Sequence, residues 1–429
     1  MTKKPDPAGL KLRLIAAERL RAVLGGEHFA PISSSELHDG RDRALANRLV
    51  TTALRRHGQI NAMIFELLDK GMPGKSGTFE AVLRLSLAQL VFLPDIGAHS
   101  ALFLAVEAVK RDPKARHLSG LINAMLRRAQ SNSARYGMMD DSLLLPTALR
   151  DKWEAAYGAE EVSGFADGLI NGAPLDLTLR DEDQAMIDTL GAEKLTGDSV
   201  RVETRDRPVD ALPFYDEGRW WVQDVSSAIP ASLLKAKAGG TVLDLCAAPG
   251  GKTAQLVKAG YTVTALDSDG TRLERLNTNM ARLGYSPVVV EADATSYLSE
   301  VPFDGILIDA PCSATGTFRR HPDVLHRVRP SIIAETAALQ ARIFARAADW
   351  VKPGGTLVYA TCSLEPSEGE AQLDAFLTAR SDYTIVPVEQ SELPAGITPT
   401  EAGTIRTLPG MLADQGGCDG FFIARLKRS

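Results

Sequence analysis

The stretch Val242-Leu-Asp-Leu-Cys-Ala-Ala-Pro-Gly-Gly-Lys-Thr253 decides the fold of the C-terminal half. Its apolar start reads as a buried strand ending near Asp244. A run of small residues then reads as a loop, and a helix begins near Lys252. Small side chains let a ligand lie against backbone amides, and a helix N-terminus favours a carboxylate there. Two other phosphate-binding loops are excluded by spelling. The P-loop needs Gly-x-x-x-x-Gly-Lys-Ser/Thr; Gly251-Lys-Thr253 fits its end, but Cys246 stands where its first glycine belongs. The Gly-x-Gly-x-x-Gly dinucleotide fingerprint is absent too.

Outward from this loop, apolar runs alternate with helical segments. Strands are expected at Thr241–Cys246, Thr262–Asp267, Val288–Ala292, Gly305–Asp309 and Gly355–Ala360, with helices such as Lys252–Ala259 and Gly270–Leu283 between them. That rhythm predicts a parallel, doubly wound α/β sheet, in which ligands bind at the carboxyl ends of strands. Asp267 closes the second strand, where it can accept hydrogen bonds from two ribose hydroxyls. Asp293 closes the third, placed to meet an adenine amino group. Three acids at successive strand ends point to a nucleoside cofactor, and the loop spelling points to S-adenosylmethionine.

Two further strand ends carry cysteines, in Ile306-Leu-Ile-Asp-Ala-Pro-Cys-Ser-Ala-Thr-Gly316 and Leu357-Val-Tyr-Ala-Thr-Cys-Ser363. Parallel neighbouring strands bring Asp309, Cys312 and Cys362 to one rim of the sheet. A lone strand-end cysteine is usually a small buried hydrophobe; two beside a cofactor loop are harder to read so. Cys246 and Cys418 take the packing reading.

The remainder of the 429 residues sets the context. Hydrophobic residues make up 45% and charged residues 24%, a globular composition. The four cysteines form no metal-ligating cluster and no disulfide framework, so no metal is expected and a reducing compartment, the cytoplasm, is. Met1 to Asp6 is charged without an apolar core, and no long apolar run occurs, so neither secretion nor a membrane partner is expected. Net charge is −6, yet residues 1–135 carry 21 Lys+Arg against 12 Asp+Glu. A basic N-terminal third suits a phosphate backbone; solvated helix faces are the alternative. This third reads as all-α, with amphipathic stretches around Leu10–Leu24, Arg43–Leu54, Ala62–Leu68, Phe79–Leu93, Ser100–Lys110 and Leu118–Arg128. Residues 140–235 read as a small α+β module: a helix at Pro146–Tyr157, a strand in Pro174–Arg180, a helix at Asp183–Leu190, a strand at Val200–Thr204, then Arg219–Ser227.

The trio Asp-Leu-Cys-Ala-Ala-Pro-Gly-Gly-Lys-Thr, Asp-Ala-Pro-Cys-Ser and Ala-Thr-Cys-Ser resembles the RsmB/NOP family of RNA cytosine-5 methyltransferases. Gly316-Thr-Phe-Arg-Arg-His-Pro-Asp323 and Cys418-Asp-Gly-Phe-Phe-Ile-Ala424 are similar to that family as well. Gly97-Ala-His-Ser-Ala-Leu and Leu118-Ser-Gly-Leu-Ile-Asn-Ala-Met-Leu-Arg127 resemble the NusB-like RNA-binding domain. The resemblance implies three parts: a NusB-like all-α domain (1–135), the α+β module (140–235) and a Rossmann-like S-adenosylmethionine methyltransferase domain (236–429). One departure is visible. Where the family commonly has Glu-Asn after Thr-Cys-Ser, this chain has Glu368-Gly369.

By the same resemblance, Cys362 is the nucleophile that adds to carbon 6 of cytosine, and Cys312 removes the carbon-5 proton and releases product. Asp309 holds the base edge, and Lys252 lies near the cofactor carboxylate or the active site, a plain helix-start lysine being the alternative. The cofactor-binding set is Ala247, Ala248, Pro249, Gly250, Gly251, Lys252, Thr253, Asp267, Arg272, Asp293 and Asp309. The chemistry needs a thiol: carbon 5 is a weak nucleophile until a thiolate at carbon 6 turns the ring into an enamine. Arg319, Arg320 and His321 are candidates for gripping RNA phosphate, against solvated loop charges. Trp220 and Trp221 are expected in the core rather than stacked on a base. The expected substrate is 16S ribosomal RNA, free or in an early assembly intermediate. The rival readings are the same chemistry on tRNA or other RNA, DNA methylation, and a non-catalytic antitermination-type factor.

Overall fold

The computed structural model describes residues 6–202 and 208–429. The charged reading of the N-terminus falls on residues 1–5, and the end of the strand expected at Val200–Thr204 on 203–204; both lie outside the described residues. Two compact units form, Met1–Asn171 with His321–Arg327, and Gly172–Arg320 with Val328–Ser429.

The first unit is helical. Its principal helices are Leu10–Leu24, Gly40–Arg55, His57–Leu67, Phe79–Phe92, Ala98–Arg111, Ser119–Ser131 and Thr147–Tyr157. Sequence chemistry sets their ends: Asp39 accepts from the amides of Arg41 and Asp42 and caps the second helix. The Phe79–Phe92 helix is mostly apolar, and residues 81–90 are all buried, Arg84, Ser86 and Gln89 with them, as expected for a central helix. Leu83, Leu87, Leu20, Val50 and Leu126 pack in its core.

The second unit begins with a four-stranded antiparallel sheet. Its strands are β1 (Leu175–Leu179), β2 (Ala192–Thr196), β3 (Ser199–Val202) and β4 (Trp220–Val222), in the order β2-β3-β1-β4. β2 is a strand that the apolar pattern does not announce, since its residues are mostly half-exposed or exposed.

The larger sheet follows: β5 (Thr241–Leu245), β6 (Thr262–Asp267), β7 (Val288–Glu291), β8 (Phe303–Asp309), β9 (Val351–Thr361), β10 (Tyr383–Ile385), β11 (Ile405–Thr407) and β12 (Phe421–Arg428). The order is β10-β12-β9-β8-β5-β6-β7, with β11 on β12. β9-β8-β5-β6-β7 are parallel, whereas β12 runs antiparallel to β9. Strand alternation divides the core: Leu243, Ile306, Ile308, Leu357 and Tyr359 face one layer, and Val242, Leu307 and Val358 the other. Burial on both faces is why these strands read as continuous apolar runs. Each such side chain contributes about 1.5–3 kcal/mol. Strand order reverses between β8 and β5, so their carboxyl ends open a crevice.

Candidate functional site

At the end of β5 the chain turns through Cys246, which has a φ of 61°, and Gly250, with a φ of 101°, before the helix Gly251–Lys258. A side chain at Gly250 would press on Leu276, so glycine is required both by conformation and by space. Thr253 Oγ1 donates to Asp244 Oδ2 at 2.6 Å. Asp244 is wholly buried, and that burial pushes its carboxyl up to about 7 against the pull of Thr253.

The first turn of this helix aims Lys252 inward. Its Nζ donates to Asp309 Oδ2 at 2.7 Å and to Ser227 Oγ at 3.2 Å, and lies 5.3 Å from the Phe421 ring centre. Burial alone would lower the ammonium, but the Asp309 carboxylate outweighs it and the net shift is upward. Asp309 closes β8 opposite Ala360 of β9. The two turns beyond these strands meet: Cys312 Sγ lies 3.3 Å from Cys362 Sγ, and the Gly316 amide donates to the Cys362 carbonyl at 3.0 Å. Contact with Cys362, burial and then the charge of Glu368 hold the Cys312 thiol well above the usual range. Asp309, Cys312 and Cys362 thus share one rim, as parallel neighbouring strands bring them, and Lys252 joins them from the helix after β5.

Comparison with known proteins gives the family. The family described as 16S rRNA methyltransferase RsmB/F matches residues 231–427, and the NusB family matches 11–131. Ribosomal RNA small subunit methyltransferase B of Shigella sonnei is 36% identical over 441 residues, covering 97% of this chain and 98% of that protein. The protein of the same name from Escherichia coli K12 gives the same identity and coverage. The chain belongs to the RsmB/F family of S-adenosylmethionine-dependent RNA methyltransferases. A solved methyltransferase homologue from Pyrococcus horikoshii, 26% identical, covers 66% of this chain and 95% of its own, with a TM-score of 0.56.

In this RsmB/F chain the expected cofactor residues mostly gather around the loop. Asp267 ends β6 almost wholly buried; its Oδ2 accepts from the Ala248 amide at 3.1 Å and its Oδ1 from the Asp269 amide at 3.1 Å. Arg272 lies 3.3 Å from that carboxylate and donates to the Ala248 carbonyl at 2.5 Å. Ala247 and Ala248 are buried, with Pro249 beside them, and Gly251 starts the helix. Asp293 stands apart: it is exposed, two residues past β7, and accepts from the Thr295 amide at 2.7 Å, which holds its carboxyl low.

One reading of the RsmB/F sequence is corrected. Arg319 and Arg320 are neither solvated nor free to grip phosphate. Arg319 is buried, with Nε 3.1 Å from Asp419 Oδ1, and Arg320 pairs with Asp224, with Asp419 at 3.1 Å and with Asp176 at 3.5 Å. Asp176 is also gripped by Arg201 at 2.6 Å. Burial raises Asp224, yet Arg320 and Arg319 outweigh it and hold the carboxyl low; Asp419 is pushed up to about 7, by burial first and by Asp224 next. Only His321 of the trio is exposed. Trp220 and Trp221 are core residues, donating to the Pro213 carbonyl and Gln223 Oε1. Cys246 is largely packed among apolar neighbours, and Cys418 is fully buried with its thiol pushed up to about 12 by burial. Ser227 and Glu368 belong to the site's fabric but carry no local pattern that singles them out, whereas Asp244 is the strand-end acid that the motif marks.

Proposed function

We propose that this methyltransferase modifies carbon 5 of a cytosine in 16S ribosomal RNA through a covalent bond from Cys362. The observation that carries the reading is the pair of thiols 3.3 Å apart beside the Lys252–Asp309 pair. Cys362 as thiolate adds to carbon 6, and the ring becomes an enamine nucleophilic at carbon 5. Lys252 and Asp309 meet the base edge: a proton from Lys252 passes through the Asp309 carboxyl group to ring nitrogen 3 as negative charge develops there, and the carboxyl group also accepts from the exocyclic amine. After methylation Cys312 takes the carbon-5 proton, and expulsion of Cys362 restores the aromatic ring.

Bound S-adenosylmethionine supplies an electrophilic methyl group on a sulfonium. The residues present fit it: Asp244 Oδ1 is buried with no hydrogen-bond partner among the described residues, an acceptor beside a loop of alanines and glycines. Ala247 to Thr253, Asp267, Arg272 and Asp309 hold the cofactor in this reading, with Asp293 at its adenine end. The names of the Shigella and Escherichia relatives support small-subunit ribosomal RNA as the substrate. Residues 1–135 bind RNA, 140–235 form the intervening module and 236–429 catalyse, in the cytoplasm. Among the described residues no helix is long and apolar enough to cross a membrane.

The test is tritiated methyl transfer to 16S ribosomal RNA and to tRNA, wild type beside Cys362→Ala, followed by bisulfite mapping of the product. Transfer to a 16S cytosine that vanishes in the variant is expected. Turnover that survives loss of the sulfur would end the covalent reading, and tRNA as sole acceptor would end the ribosomal one.

A further inference from the structure

Glu368 is wholly buried, yet none of the chemistry above uses it. Its carboxylate collects donors from both cysteine turns. Oε1 accepts from the Ser313 amide at 2.9 Å, Thr336 Oγ1 at 2.5 Å and Gln340 Nε2 at 3.1 Å. Oε2 accepts from Ser363 Oγ at 2.5 Å and from the Ser313 hydroxyl. Its carbonyl accepts from Tyr359 at 2.8 Å, fixing the backbone that presents the carboxylate. Ser313 follows Cys312, and Ser363 follows Cys362.

We propose that Glu368 is a positioning residue, whose one carboxylate grips the residue after each cysteine and so keeps the two thiols in contact. The inference rests on the proposed roles of those thiols. A buried carboxylate is poorly tolerated unless its lone pairs are filled. Here two hydroxyls and an amide from the two turns fill them, so a displacement of either turn leaves the charge under-bonded. A glutamine of the same size loses the charge and one acceptor: its NH2 must give to the Ser313 and Ser363 hydroxyls in place of receiving from them, so the charge-assisted bonds that tie the two turns are weakened. The adjacent departure from the family is consistent with a tightly specified turn. A side chain at Gly369 would come within 2.6 Å of the Arg406 guanidinium and 2.8 Å of the Phe422 ring. The Glu368 charge also helps raise the Cys312 thiol, after Cys362 and burial, which makes its thiolate a stronger base for the carbon-5 proton.

The experiment compares wild type and Glu368→Gln in the full chain, with two readouts. In methyl transfer, kcat is expected to fall about 10- to 100-fold while KM for RNA and for S-adenosylmethionine stays within about two-fold, the mark of misplaced reacting groups. The second readout needs no activity. Diamide takes two hydrogens from two thiols and leaves a disulfide, and peptide mapping follows the Cys312–Cys362 link. Its formation is expected to slow about five-fold or more in the variant. Unchanged kcat with an unchanged link rate would overturn the proposal. Should Glu368→Gln fail to fold, Ser313→Ala and Ser363→Ala each remove one donor, and wild-type kcat and link rate in both would overturn it equally. If the wild type itself moves no methyl to RNA, the function reading fails, while the link rates still judge Glu368.

Discussion

Lys252 Nζ stands 2.7 Å from Asp309 Oδ2, one from the start of the helix after β5 and the other from the end of β8. The two strands flank the point where the order of the sheet reverses, so the pair lies at the mouth of the crevice. The lysine is buried, and its raised titration keeps it charged through neutral and alkaline pH. Lys252→Met removes the cation and leaves Asp309 with one fewer donor, at the group proposed above to meet the base. Single-turnover methyl transfer is expected to slow about 100-fold or more, the usual cost of one lost electrostatic contact in a preorganised site. A wild-type rate in this variant would remove Lys252 from the mechanism.

The two cysteines whose sulfurs lie 3.3 Å apart are separable by experiment, because the roles proposed for them above fall at opposite ends of the reaction. Cys312→Ala leaves the Cys362 thiolate free to add to the ring but removes the group that lets it leave. A covalent protein–RNA band resistant to boiling in detergent is expected from Cys312→Ala and absent from Cys362→Ala. The reverse pattern would exchange the two roles.

Much of this centre was legible in the sequence because it depends on strand ends. Asp267, Asp309 and Cys362 sit at or one residue beyond carboxyl ends that apolar runs announce, and parallel pairing then brings them to one rim. The helix Gly270–Leu283 matches its expected bounds, helped by Asp269 as cap. The apolar run predicts β9 only from Gly355, because Pro353 and two glycines interrupt it, whereas the strand starts at Val351 and pairs with β8 across an irregularity between Phe303 and Gly305. What sequence could not supply was partnership over distance. Arg319 and Arg320 look like loop charges until Asp176, Asp224 and Asp419, from three remote segments, are found around them. Glu368 looks like an ordinary acidic residue for the same reason. Which carboxylate meets which donor is set by the finished fold, and no local period encodes it.

The buried arginine–aspartate cluster ties β1 to the segments at 224, 319–320 and 419, so its loss should cost stability. Arg320→Met removes a partner shared by three carboxylates, of which Asp176 and Asp224 are almost wholly buried. Breaking such a pair by deleting one side costs about 3–5 kcal/mol, because a buried charge is left uncompensated. The urea midpoint of the second unit is expected to drop accordingly. A change below about 1 kcal/mol would mean that water replaces the guanidinium, the behaviour of exposed pairs.

In the first unit, the His57 and His326 rings lie with centres 4.5 Å apart and planes tilted by 52°, and His57 Nδ1 is buried with no hydrogen-bond partner among the described residues. Burial, then His326, then Arg84 lower His57 to about 2 from an ordinary 6.5, and His326 is lowered as well, chiefly by burial. A group whose folded value is depressed contributes stability that is present above its unfolded value and lost as pH falls. Between pH 6.5 and about 5 the unfolded chain takes up a proton that folded His57 refuses, which costs about 1–2 kcal/mol by pH 5. Hydrogen exchange in the His57–Leu67 helix, corrected for intrinsic rates, is therefore expected to accelerate at pH 5 relative to pH 7.5. His57→Gln, which carries no titrating ring, should flatten most of that dependence. Equal acid sensitivity in the variant would place the titrating group elsewhere, with His326 the next to replace.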